Sequence, residues 1–162
     1  MTKNKMLHIP NYYIPNNGGI EQVAYDIVSG LRNDYEQKVI CFNHESETKI
    51  EPYDDVLVYR IGYKIKIASQ AISFRYYFIL RKLIEEFDPA IIYIHLPNPL
   101  VVFYLLLCNI KGKKLIVHWH SDIIDQKFIK IFFLPFQKCI LKKANVIFAT
   151  SEEYKNNSKD LK

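Results

Sequence analysis

Two apolar periods alternate along this 162-residue chain. Runs that are apolar throughout, or at every second position, read as strands: Lys5–Ile9, Lys38–Phe42, Val56–Ile61, Ala90–His95, Lys114–Trp119 and Asn145–Ala149. Between them apolar residues recur at helical spacing. Ile20, Val23, Ala24, Ile27, Val28 and Leu31 make one stripe and predict a helix over Ile20–Arg32. Ile72, Tyr76, Ile79, Leu80, Leu83, Ile84 and Phe87 make the next. Asp88-Pro89 stops it, because a residue before proline avoids helical geometry. Asn98 and Pro99 suit the cap and first position of a short, buried helix reaching Cys108. Lys127–Lys143 predicts a helix kinked at Pro135. Thr150-Ser151-Glu152-Glu153 has the capping-box pattern and predicts a last polar helix. The polar, acidic stretch Asn43–Asp55 reads as a loop, and Gly62–Ser69 as a basic link.

Strands that alternate with helices predict an α/β fold: a doubly wound, mostly parallel sheet with helices on both faces, as a single domain over residues 1–162. The continuously apolar run Ala90–His95 suits a strand covered on both sides. In such sheets ligands sit beyond the C-terminal strand ends. Four loops fall there: the glycine loop with Asn17, Gly18 and Gly19; the segment ending at Asn98; the run His118-Trp119-His120-Ser121-Asp122; and Thr150-Ser151. Asn17, Asn98, Ser121, Asp122 and Ser151 are thereby candidate cleft residues.

Composition narrows this modestly. Hydrophobic residues make up 49% and charged residues 24%, which excludes a disordered chain. Lysine and arginine number 22 against 17 acids, a net charge of +5. That suits anionic ligands or an anionic lipid surface and is too mild to imply nucleic acid. Cys41, Cys108 and Cys139 are widely spaced, so neither a disulfide framework nor a zinc ribbon is indicated. The greasiest run, Leu100–Cys108, is far short of the ~20 residues of a spanning helix. The expected place is the cytoplasm, with peripheral contact at the inner face of the cell membrane.

The candidate chemistry has competing readings. Gly18-Gly19, between the first strand and a helix N-terminus, reads as a backbone cradle for phosphate or as a turn that needs positive φ. It is not the dinucleotide fingerprint, and no acid closes the second strand, so a nicotinamide cofactor is disfavoured. Period-2 alternation puts His118 and His120 on one strand face and Trp119 on the other. His118 reads as a core histidine, while His120 at the strand end reads as a ligand-contacting group or a structural one. Two histidines with Asp122 fall short of a zinc ligand set, and no metal or cofactor is expected. Lys127, Lys130, Lys138 and Lys142 share a helix stripe beside Phe128, Ile129, Phe132 and Phe136. The stripe suits an interfacial helix on anionic lipid or a solvated face. Gly62–Lys82 repeats the basic and aromatic theme.

Four motifs carry a resemblance: Gly18-Gly19-Ile20-Glu21, Ile91-Ile92-Tyr93-Ile94-His95, Trp119-His120-Ser121-Asp122-Ile123-Ile124, and Ala144-Asn145-Val146-Ile147-Phe148-Ala149-Thr150-Ser151-Glu152. In this order and spacing the chain resembles the N-terminal, acceptor-side half of family-4 glycosyltransferases of the GT-B type. The resemblance implies a Rossmann-like domain facing a second one, outside this chain, that holds most of a nucleotide-sugar donor. It implies retaining sugar transfer to a polysaccharide or lipid-linked glycan, without an obligatory metal. Gly18-Gly19 would approach the donor diphosphate, and His120 would lie near the transferred sugar as the catalytic residue. A non-catalytic subunit that binds acceptor or membrane and recruits a separate catalytic partner is the alternative.

Overall fold

The computed structural model describes residues 3–15, 18–67, 70–121 and 127–152, with backbone alone at 127–132. Its main sheet joins β1 (Asn4–Ile9), β2 (Tyr35–Phe42), β3 (Lys49–Tyr53), β4 (Val56–Ile61), β7 (Ile91–Leu96), β8 (Lys114–Trp119) and β9 (Val146–Ala149) in the order β3-β4-β2-β1-β7-β8-β9. All pairings are parallel except β3 with β4. β5 (Ile65–Ile67) and β6 (Gln70–Ile72) form a separate antiparallel pair. The helices are α1 (Gly19–Gly30), α2 (Phe74–Lys82), α3 (Pro99–Leu106) and α4 (Lys127–Lys143). The doubly wound α/β architecture expected from the pattern is the one observed.

Strand alternation divides the core. Leu7, Ile9, Ile40, Phe42, Ile92, Ile94, Leu96, Leu115, Val117 and Trp119 pack with Tyr76, Leu80, Val101, Leu105 and Ile140 from α2, α3 and α4. On the other face Val39, Cys41 and Val58 pack with Ala24 and Val28 of α1 and with Tyr13 and Ile14. Strands apolar on both sides are what a sheet covered on both faces requires.

Three segments depart from the sequence reading. Within Asn43–Asp55, expected as loop, Lys49–Tyr53 forms an antiparallel edge strand. The turn back to β4 uses Asp54 and Asp55, both at positive φ, where aspartate is better tolerated than most residues. Pro52 is compatible with an edge position. Part of the basic link Gly62–Ser69 likewise pairs as β5. The second helix begins at Phe74, since Ile72 belongs to β6, and its tail Leu83–Phe87 widens into a π-helical turn ahead of the left-handed Asp88.

Arg60 on β4 is the polar anchor of this half. It is 4% exposed, and its Nε donates to Glu51 of β3 at 2.8 Å. Its Nη1 and Nη2 donate to the carbonyls of Tyr13 and Ile14, at 3.3 and 2.5 Å. One guanidinium thus ties the edge strand to the segment leading into the glycine loop. Arg60→Met leaves those carbonyls unpaired and is expected to lower unfolding stability by about 2–4 kcal/mol. Urea titration followed by far-ultraviolet circular dichroism measures it; an unchanged midpoint would remove Arg60 from this role.

Candidate functional site

The glycine loop leaves β1 through Tyr13, buried among Tyr25 and Tyr53, and a cis Ile14–Pro15 bond. Gly18 then caps α1 with its carbonyl, accepting from Gln22 N at 3.0 Å. Its φ of −166° and ψ of 156° are extended, so the positive-φ explanation for this glycine does not hold. A Cβ on Gly18 would instead run into the Glu21 carboxylate, while Gly19 faces open space. Glycine brings no capping side chain, so Gly18 leaves the first-turn N–H groups of α1 without a side-chain cap of its own. Glu21, lying back against Gly18, is the nearest negative charge. Asn17 lies outside the described residues.

Across the sheet, β7 and β8 pair with His95 opposite His118 and Leu96 opposite Trp119. The next residue, His120, donates its backbone N–H to Leu96 O at 2.9 Å, which extends the pairing past the strand end. Trp119 turns into the helix-covered core, and His118 and His120 turn the other way, as the alternation predicts. Two features were not legible. His118 is half-buried and bonds Tyr93 Oη through Nδ1 at 3.1 Å, so it is not a sealed core residue. His95, read from sequence only as a strand end, is 1% exposed and joins the cluster: its Nδ1 lies 2.9 Å from His120 Nε2. The signal that finds it is the cross-strand register, which no single strand carries.

The imidazoles stack. His118 and His120 have ring centroids 4.2 Å apart, and His95 lies 5.4 and 5.2 Å from them. Burial, reinforced by the neighbouring imidazoles, holds His95 well below the usual histidine range. Burial and then His118 push His120 down to about 4, and burial lowers His118 as well. Neutral rings at neutral pH can each donate or accept one hydrogen bond. Asn98 stands two residues beyond the end of β7. It is buried at the α3 cap position, yet its amide makes no hydrogen bond through either Oδ1 or Nδ2. The expected side-chain cap is absent, and only its carbonyl caps, accepting from Val102 N.

The remaining candidates divide. Ser121 is half-buried beside His120, and Ser151 is exposed after β9. Asp122, and the capping box from Glu153 onward, lie outside the described residues. On α4, Phe136 packs edge-on against Phe103 and Ile140 is fully buried, so this part of its apolar side belongs to the core. Lys138 and Lys142 are exposed, as a solvated face would be, and the side chains of Lys127 and Lys130 lie outside the described residues. Other large apolar side chains are exposed, among them Ile65 and Ile67 of β5, Phe74 and Phe78 of α2, and Val146, Ile147 and Phe148 of β9.

A family profile described as Glycosyltransferase Family 4 matches residues 17–162. The chain belongs to glycosyltransferase family 4. It is 31% identical over 160 residues to O-antigen chain mannosyltransferase C of Escherichia coli, covering 98% of this chain and 42% of that protein. It is 25% identical over 156 residues to D-rhamnosyltransferase WbpZ of Pseudomonas aeruginosa, covering 95% and 40%. The chain thus spans about two-fifths of the length of these curated relatives. Among solved structures, sucrose-phosphate synthase from Thermosynechococcus elongatus superimposes with a TM-score of 0.69 at 12% identity, over 95% of this chain and 45% of that one. The α,α-trehalose 6-phosphate synthase from Burkholderia multivorans superimposes with a TM-score of 0.55 at 10% identity, over 96% and 41%. Sequence establishes the family membership, and these likenesses establish the fold. No described helix is long and apolar enough to cross a membrane.

His8, on the same sheet face, stacks on Tyr93 and is wholly buried. Its Nε2–H donates to Gln37 Oε1 at 2.7 Å, and Gln37 passes the bond on to Val28 O at 2.9 Å. Burial outweighs that bond and pushes His8 down to about 4. The unfolded chain therefore binds a proton that the folded one rejects between pH 6.5 and 4. Stability is complete above that window and falls as pH drops through it. Acidification from pH 6.5 to 5 should cost roughly 2 kcal/mol through His8 alone. Urea midpoints across this range test it, and a flat profile would contradict the buried, neutral ring.

Proposed function

We propose that this domain is the acceptor side of a retaining glycosyltransferase. The enzyme moves a sugar from a nucleotide-sugar donor to a polysaccharide or lipid-linked glycan. The observation that carries the reading is the position, in a family-4 chain, of the α1 N-terminus, Asn98 and His120 each just after the C-terminal end of a strand of one sheet. Ligands of open parallel sheets bind at that rim. The first-turn N–H groups and dipole of α1 stabilise a departing diphosphate at Gly18-Gly19 without an obligatory metal. His120, with Ser121 and Ser151, lines the cleft where acceptor and transferred sugar meet; Asn17 and Asp122, candidates for it from sequence, lie outside the described residues. Asn98 supplies an amide with its hydrogen bonds still to make. The relatives, one named an O-antigen chain mannosyltransferase and the other a D-rhamnosyltransferase, favour a hexose or deoxyhexose as the transferred sugar and a polysaccharide as the acceptor. A second domain supplies the rest of the donor pocket.

Peripheral attachment to the inner membrane face accompanies this activity. Phe74 and Phe78 are 75% and 65% exposed one turn apart on α2. Ile65 and Ile67 are exposed on β5, with Lys64, Lys66 and Arg75 close by in sequence. Aromatic and aliphatic side chains among cations suit an anionic lipid interface. The same surface serves the alternative reading, a non-catalytic subunit that recruits a catalytic partner.

In full-length protein supplied with a panel of nucleotide hexoses and deoxyhexoses, one donor should be turned over. His120→Ala should cut that rate by about 100-fold or more with the circular dichroism spectrum unchanged. Near-normal turnover would remove His120 from the chemistry. Turnover with no donor, together with vesicle binding, would favour the recruiting subunit. Phe74→Ser/Phe78→Ser should reduce co-sedimentation with anionic vesicles at least about 10-fold; equal sedimentation would move the membrane face elsewhere.

A further inference from the structure

His95, His118 and His120 each offer one ligand nitrogen, and these atoms lie within 4.8 Å of one another. The geometry points to a transition-metal site: a three-histidine centre for a zinc-type divalent cation, with the fourth position left to water. This goes beyond sugar transfer and does not depend on it.

The donor set selects the class of ion. Three imidazoles suit zinc, copper or nickel, whereas magnesium and calcium require oxygen ligands. Two of the ligands stand two residues apart at the end of β8, and the third faces them from β7, so the backbone already gathers them. A tetrahedral ion with Zn–N bonds of about 2.0–2.1 Å holds its nitrogens about 3.4 Å apart. The widest pair therefore has to close by no more than about 1.4 Å. The stacked rings must fan out to do this. His118 and His120 are half-buried and have room to turn, while buried His95 serves as the fixed point.

Two further observations favour a ligand. His95 Nε2 is buried with no hydrogen-bond partner, an unmet polar atom that a metal bound there would satisfy. Tyr93 Oη lies 3.1 Å from His118 Nδ1. When Nδ1–H donates to that oxygen, Nε2 is left bare, the arrangement in which an outer partner orients a ligating histidine.

The test uses untagged protein carrying Cys139→Ser, which removes a half-buried thiol that could compete for soft metals. Zinc is titrated against a chromophoric chelator, and cobalt binding is followed by its visible absorption. One equivalent should bind, with the intense bands of a tetrahedral site. His118→Asn and His120→Gln should each weaken binding at least about 10-fold, and exposed His44→Gln should leave it unchanged. Circular dichroism separates a lost ligand from a lost fold; should His118→Asn fail to fold, His120→Gln at the rim carries the test alone. Zinc binding that neither replacement weakens, or no stoichiometric binding at all, overturns the assignment. Neither readout involves a sugar donor, so its failure is distinct from failure of the transferase reading.

Discussion

The in-register pairing of β7 with β8 is the constraint on which the site depends. Parallel neighbours point matched residues to the same face. Leu96 and Trp119 therefore go into the helix-covered core together, and His95 and His118 go to the opposite side together. A slip of one residue would bury imidazoles among leucines and expose the tryptophan. The apolar half of each strand thus defines where the polar half stands. The bond from His120 N to Leu96 O carries that order one residue beyond the strand, to the position where chemistry is proposed.

Much of this was legible in the chain because it is periodic. The strands Val56–Ile61 and Lys114–Trp119 and the helix Lys127–Lys143 coincide with their apolar patterns, since burial of one stripe or one face is what forms them. Elements with weak patterns were missed. Lys49–Tyr53 alternates poorly and carries a proline, and it becomes a strand only because β4 lies beside it. The Ile65–Ile67 strand exposes every side chain, so no burial signal marked it. His120 was found because it ends a strand. His95 was not, because its significance comes from a neighbour that follows it by 25 residues. Asn98 was placed at the right position for the wrong reason: it caps through its backbone, and its amide is free.

The apolar side of α4 shows how composition alone misleads. A stripe of lysines beside aromatic residues describes both a lipid-facing helix and a helix packed on its own protein. Only the position of Phe136 and Ile140 against the core separates the two, and it assigns the visible part of that face to packing. The exposed aromatics of α2 then become the more open apolar surface, beside a hairpin too short to hide its isoleucines.

Glu21 stands at the head of α1, against the glycine loop. Its carboxylate rests against Gly18, where the helix dipole holds it favourably in place. The chain therefore carries its own internal competitor for the anion seat. A stray monovalent anion gains little by displacing a carboxylate of equal charge. A diphosphate, in the proposed use of this loop, would bring more charge and more acceptor oxygens to the same N–H groups and would have to displace Glu21. In that use the loop would discriminate by charge as well as by shape.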